Sequence, residues 1–197
     1  MESFKDVFKL SWLIAFDWTK KTPLLLKARN RNELPDNCCL ALCRMPGKKN
    51  PDNLRQEIQE MKKHGISMIV CLLSEAGTRK VGVDINDYSS ICREENILFL
   101  NYPVQSMKAP EDSPSQLDSK VVDPVIKHIA EEQGRVAVHC SFGIGRAGTI
   151  AGCVLAKLGL FKDTDKCIQY LRDRRQKLCV QSEPQRRYLE SYIKNIT

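Results

Sequence analysis

Residues 139–149 read His-Cys-Ser-Phe-Gly-Ile-Gly-Arg-Ala-Gly-Thr, and they bring together a thiol, a guanidinium and three glycines. The short apolar run 135–139 that precedes Cys140 has the pattern of a strand, and 147–158, closed by Gly159, has that of an apolar helix. A turn from a strand into a helix N-terminus points successive backbone N–H groups into one concavity, where the helix dipole adds partial positive charge. The spacing therefore predicts an oxyanion nest made by Ser141, Phe142, Gly143, Ile144 and Gly145. Gly143, Gly145 and Gly148 let the chain curl closely, and Arg146, five residues beyond Cys140, can fork two oxygens of the anion. The same charges favour a thiolate on Cys140. Attack of that sulfur on phosphorus would form a phosphocysteine, splitting hydrolysis into two easier steps, with the nest stabilising the equatorial oxygens in both.

Around this loop the sequence offers supporting groups. His139 is expected to orient the loop through a side-chain hydrogen bond to backbone rather than to act in the chemistry. The Thr149 hydroxyl either faces the sulfur or bonds a carbonyl one turn back in its helix. Cys71, on an apolar run at 66–73, is either a redox partner for Cys140 or a small buried hydrophobe.

The elements that must position these groups alternate. Asn50 and Pro51 open a helix that Gly65 closes, and 66–73 is a branched apolar strand of the kind buried on both faces. A helix at about 84–94, a strand at 97–102 and a polar loop with Pro103, Pro110 and Pro114 follow. A helix from near Ser113 carries Pro124, which kinks or restarts it, and Gly134 closes it. Two amphipathic helices, at about 164–176 and 184–195, complete the chain. This order predicts an α/β fold, a central and largely parallel sheet flanked by helices. Residues 1–35 read as an extension packed on a domain spanning 36–197.

The chain has 197 residues, enough for one domain with its own core, with 42% hydrophobic and 28% charged residues. Nine scattered cysteines favour a reducing compartment, cytoplasmic or nuclear. No Cys-x-x-Cys pair occurs, and His64, His128 and His139 are far apart, so no metal site is expected. The apolar stretch 10–16 is far short of the ~20 residues that span a bilayer. The net charge of +7 comes from short dispersed clusters; it suits a phosphorylated substrate, and no nucleic-acid partner is expected.

At the His-Cys, five residues, Arg signature the sequence resembles the protein tyrosine and dual-specificity phosphatase superfamily. The likeness extends to Thr22-Pro23, Leu42-Cys43 with Pro46-Gly47, Gly65-Ile66, Tyr102-Pro103-Val104 and Leu171-Arg172-Asp173, and so covers most of the chain. It implies the protein tyrosine phosphatase-like fold, a protein phosphatase without cofactor, and a phosphorylated protein as partner, a protein kinase among the candidates. It also marks Gln181-Ser182-Glu183-Pro184-Gln185 as the loop whose glutamine, Gln181 or Gln185, positions the water that cleaves phosphocysteine; by itself the segment is a helix start capped by Ser182.

Two positions depart from the family pattern. Ser106 stands where relatives carry the general-acid Asp, and loss of such an acid costs about a hundredfold to ten-thousandfold. Glu111 and Asp112 lie just beyond, as substitutes or as solvated charges at a helix start. Ala147 replaces the Ser or Thr that follows the Arg in many relatives. Two other functions stay open: a phosphate-binding reader with weak turnover, and a phosphoinositide or RNA 5′-phosphatase. The second is opposed by a loop interior without Lys or Arg.

Overall fold

A computed structural model of the chain describes residues 9–26 and 36–196. Among these, the strands β1 (Ser11–Asp17), β2 (Thr22–Leu25), β3 (Cys38–Arg44), β4 (Ile66–Cys71), β5 (Leu98–Asn101) and β6 (Arg135–Cys140) form one sheet in the order β2-β1-β3-β6-β4-β5. The strands β3, β6, β4 and β5 are mutually parallel, and β1 runs antiparallel to both β2 and β3. The largely parallel α/β sheet expected from the alternation is present. Its central strand is β6, where His139 lies level with Cys43 of β3 and with Cys71 of β4. Cys140 therefore emerges at the carboxyl end of the sheet's middle, the crevice where open α/β sheets take their ligands.

Alternation along the strands divides the interior into two cores. On one face Leu40, Leu42, Val70, Val136, Val138 and Cys140 pack with the second half of the chain. Its helices are α4 (Pro114–Leu117), α5 (Asp123–Ala130), α6 (Gly145–Lys157), α7 (Thr164–Arg174) and α8 (Glu183–Ile196), numbered after α1 (Leu54–Lys63), α2 (Glu75–Arg79) and α3 (Ile85–Glu94). On the other face Ala41, Cys43, Ile69, Cys71 and Ala137 meet Leu54, Ile58 and Met61 of α1 and Tyr88 and Cys92 of α3. Eleven of the thirteen residues of α6 are buried, so the helix that follows the loop is fixed along most of its length.

Local chemistry explains most element ends. The Asn50 side chain accepts from Asp52 N at 3.1 Å ahead of a single 3-10 turn that runs into α1, and Gly65 takes φ +79 just past α1's end. Asp84 and Asp163 cap α3 and α7 in the same way. The helix expected from Ser113 is not continuous. A capping box at Ser113 starts α4, residues Asp118–Val122 are π-helical, and α5 restarts at Asp123 with Pro124 in its first turn. A proline removes one intrahelical donor and crowds the preceding turn, and the wider π turn accommodates both.

The division expected at residue 35 needs correction. The described part of 1–35, residues 9–26, is not laid on the domain but supplies two strands of its sheet, with Ile14 level with Leu25 on one side and Leu40 on the other. The remainder of that segment, 1–8 and 27–35, lies outside the described residues. A helix, α2, and the strand β3, neither anticipated, complete the frame. Ile14 is fully buried, so Ile14→Ala should cost about 2–5 kcal/mol of unfolding free energy in a urea titration. A cost near zero would show that residues 11–25 are dispensable to the domain.

Candidate active site

The turn between β6 and α6 has a consistent polarity. Every carbonyl from Cys140 to Gly145 is turned into the frame and accepts from it. Cys140 O faces His139 Nδ1 at 3.3 Å, and Ser141 O accepts from Met45 N at 3.3 Å. Phe142 O and Gly143 O accept from Nη2 and Nε of one residue, Arg175, at 2.9 and 3.0 Å. Ile144 O accepts from Gly148 N, Val180 N and Cys179 Sγ, and Gly145 O from Thr149 Oγ1 at 3.0 Å. By contrast, none of the backbone N–H groups from Ser141 to Arg146 has an acceptor among the described residues. With the carbonyls fixed outward, the donors are left to converge on an anion.

Close approach makes glycine obligatory at two places. Gly143 has φ +68, and a Cβ there would lie 1.8 Å from Cys43 O. At Gly148 a Cβ would lie 2.5 Å from Cys179 Sγ. The first glycine lets the loop turn against β3, and the second lets α6 pack on the segment before α8.

Arg146 donates from Nη1 to Val104 O at 2.8 Å and to Leu72 O at 3.3 Å, the carbonyls just beyond β5 and β4. These bonds fix the guanidinium beside the loop while its Nε and Nη2 have no acceptor among the described residues. The flap, residues 103–110, is tied in turn to the start of α8. Ser182 Oγ donates to Met107 O at 2.7 Å, and Gln185 Nε2 to Lys108 O at 3.2 Å.

His139 is fully buried on the opposite face of β6 from Cys140. Its Nε2 lies 2.9 Å from Tyr88 Oη and its Nδ1 faces Cys140 O. One tautomer satisfies both contacts: Nδ1–H donates to the carbonyl and Nε2 accepts from Tyr88. Burial lowers its pKa to about 4, outweighing the backbone hydrogen bond, so the ring is neutral at physiological pH. The ring thus bonds the first carbonyl of the loop.

The other sequence candidates separate. Thr149 bonds the Gly145 carbonyl one turn back, which resolves its two alternatives in favour of the helix. Gln185 is buried, its Oε1 accepts from Gln181 N and Ser182 N at 2.9 and 3.2 Å, and its Nε2 donates to Lys108 O, so most of its polar capacity is structural. The Gln181 side chain is exposed, and its Cβ lies within 3.3 Å of a Cβ built on Gly145, at the edge of the nest. Cys71 is fully buried in the core opposite Cys140, and burial pushes its thiol up to about 12, the behaviour of a packed hydrophobe.

No carboxylate stands at the flap's acid position. Ser106 is exposed in the turn closed by Lys108 N to Gln105 O at 3.1 Å. Asp112 accepts from Lys120 Nζ at 2.8 and 2.9 Å and from Tyr102 Oη at 2.8 Å. Lys120, and then Tyr102, hold its carboxyl below the usual carboxylate range, so it has no proton to give at neutral pH. Glu111 is exposed, without a partner among the described residues.

Four contributors escaped the sequence reading: Met45, Lys48, Tyr88 and Arg175. Lys48, from the loop after β3, donates to Ser141 Oγ at 2.5 Å. No local signal marks any of them, because each reaches the loop from a distant element. Lys48 lies 93 residues away in sequence, Tyr88 51 from His139, and Arg175 32 from Gly143.

Comparison with known proteins agrees with this geometry. Residues 41–188 match the family described as Swiss Army Knife protein, DSP-PTPase phosphatase domain. Among curated proteins, cyclin-dependent kinase inhibitor 3 of Homo sapiens is 23% identical over 177 residues, covering 88% of this chain and 80% of its own. The same protein of Sus scrofa is 24% identical over 158 residues, 78% of this chain and 71% of its own. Among solved structures, a kinase associated phosphatase with its catalytic-site cysteine changed to serine superposes with TM-score 0.75 at 19% identity, over 98% of this chain and 97% of that one. PTPMT1 in complex with PI(5)P superposes with TM-score 0.62 at 16% identity, over 80% and 92%. The chain belongs to the DSP-PTPase phosphatase family and is a cysteine-dependent protein phosphatase of the dual-specificity type.

The buried neutral His139 has a pH consequence. Below about pH 6.5 the unfolded chain binds a proton at this residue that the folded chain refuses until about pH 4. Stability from this group is thus complete above pH 6.5 and falls as pH drops through that window, by on the order of 3 kcal/mol. Urea unfolding of the parent and of His139→Asn across pH 4–7 should show this acid-side loss only in the parent; equal slopes would contradict the assignment.

Proposed function

We propose that this phosphatase dephosphorylates phosphorylated protein, with a phosphorylated protein kinase among its substrates, through Cys140. The observation that carries the reading is the polarity of the loop: carbonyls from Cys140 to Gly145 held outward by the frame, N–H groups from Ser141 to Arg146 without protein acceptors. A tetrahedral or trigonal phosphoryl oxyanion is the ligand that such a concavity accommodates. The names of the relatives, a cyclin-dependent kinase inhibitor and a kinase associated phosphatase, support a kinase as partner.

In this reading the Cys140 thiolate attacks phosphorus in line, the bond from phosphorus to the leaving oxygen breaks, and that oxygen takes its proton from solvent. Arg146, through Nε and Nη2, and the loop N–H groups hold the three equatorial oxygens throughout. Water then attacks the phosphocysteine, the phosphorus–sulfur bond breaks, and inorganic phosphate and the thiolate are released. Gln181, exposed at the rim, is the residue suited to orient that water, since Gln185 is committed to the α8 start and the flap. The residues assigned here need no added group for either step.

The flap gives this enzyme a particular signature. Without a carboxylic acid at Ser106 the first step depends on the leaving group's own acidity. Aryl phosphates with acidic phenols should therefore turn over far faster than phosphothreonine peptides. With the peptides, the rate should lack the decline at alkaline pH that deprotonation of a catalytic acid causes. Ser106→Asp should introduce that decline and raise the peptide rate by about a hundredfold or more. Comparable rates on both substrate types, with Ser106→Asp inert and Glu111→Gln slow, would show that Glu111 is the acid. Phosphopeptides that bind tightly yet turn over no faster than with Cys140→Ser would make the protein a phosphate reader instead.

A further inference from the structure

The loop interior contains no lysine or arginine, but the fold brings one to its mouth. After β3 the chain turns at Gly47, with φ +73, where a Cβ would press on Leu54 and Val83 at 3.2 Å. The turn is held by Glu57 of α1, which accepts from Gly47 N at 2.8 Å and pairs with both terminal nitrogens of Arg44 at 2.9 and 2.5 Å. Met45 N donates to Ser141 O, so this turn and the phosphate loop are joined by backbone. From it the Lys48 side chain reaches Ser141 Oγ and lies 3.3 Å from the centroid of the Phe142 ring.

The state of this ammonium is unusual. It is half-buried, and burial, with Arg44 and Arg146 adding to it, holds its pKa below the ordinary lysine value, against the opposing pull of Cys140. No carboxylate accompanies it among the described residues. Lys157, by contrast, is exposed and pairs with Asp118 at 2.6 Å. An ammonium carries three donors; Ser141 takes one and the Phe142 π face covers a second, which leaves a donor toward the open side. With no carboxylate sharing the site, the remaining donor of this partly buried cation is open to an arriving anion.

We infer that Lys48 is a substrate-specificity residue: it binds a second anionic side chain, a carboxylate or another phosphate, carried by the phosphopeptide next to the residue whose phosphate enters the Cys140 loop. This rests on the phosphoprotein reading above and refines it. A peptide fits the surroundings, because Phe142, on the loop, Met107, on the flap, and Leu178, on the segment before α8, are exposed apolar residues on the three segments that frame the loop. Phe142 and Lys48 act as a pair, the ring holding the ammonium at the rim by cation–π attraction rather than letting it fold into the loop.

The test measures binding, so that slow turnover does not obscure it. In the Cys140→Ser background, three ligands are titrated at low and high salt: a phosphothreonine peptide flanked by alanines, the same peptide with aspartate or phosphoserine beside the phosphothreonine, and a soluble inositol bisphosphate. The acidic peptide should bind about tenfold more tightly than the alanine peptide at low salt. Lys48→Met should reduce that ratio to about twofold or less, and Lys48→Arg should retain it. Equal binding of the two peptides, or a preference that survives Lys48→Met, would overturn the inference while leaving the phosphoprotein reading intact. Tight binding of the inositol bisphosphate with neither peptide bound would overturn both, and place the second anion on a lipid headgroup.

Discussion

Everything in this molecule that bears on chemistry depends on keeping the carbonyls of one short turn pointed away from Cys140. A peptide carries a donor and an acceptor at each residue, and a loop relaxing freely would satisfy both at random. Here the acceptors are claimed by fixed donors on every side: backbone from the loop after β3, the His139 ring from β6 itself, the Arg175 guanidinium at the end of α7, and the Cys179–Val180 segment before α8. Arg175 is the clearest case, since it holds two consecutive carbonyls and also reaches Ser11 of β1 at 3.2 Å. That last bond explains why the antiparallel strands at the start of the chain matter to a loop more than a hundred residues later.

Rigidity of the loop and adaptability of its rim have separate origins. Below the loop lie β6, whose residues are nearly all buried, and α6, buried along most of its length. Around it lie the loop after β3 and, joined to each other by Ser182 to Met107 and Gln185 to Lys108, the flap and the start of α8. The first group fixes where phosphorus sits. The second decides what surrounds it, with Ser106 on the flap and Phe142 facing outward beside Lys48. The Asp112 carboxylate belongs to neither, because Lys120 and Tyr102 keep it as a structural anchor at the end of the flap.

The legible part of the sequence was the part governed by local rules. Asn50 capped its helix where capping chemistry placed it, the helices expected at about 84–94 and 164–176 are present, and the strand, loop and helix around Cys140 followed from glycine spacing and apolar runs. β3 was missed because Cys38–Arg44 mixes cysteine, leucine and alanine with no β-branched residue, a composition that becomes a strand only between two neighbours. β1 is an apolar run too short for any reading other than its tertiary one, and β2 has almost no buried face. Among site residues, Cys140, Arg146 and the loop glycines were visible because their roles depend on spacing. Arg175, Tyr88 and Lys48 were not, because nothing in a local window reports which distant turn a side chain will touch.

The central claim is that the loop is arranged for a phosphoryl group transferred to Cys140 sulfur. The most direct measurement is rapid acid quenching during turnover of an activated aryl phosphate, followed by peptide mapping for phosphate on the segment that holds Cys140. The account predicts phosphate on that cysteine in the parent protein, accumulating further in Gln181→Ala as hydrolysis of the intermediate slows, and none in Cys140→Ser. Release of phosphate with no phosphocysteine in any of the three, and with Cys140→Ser as active as the parent, would contradict it.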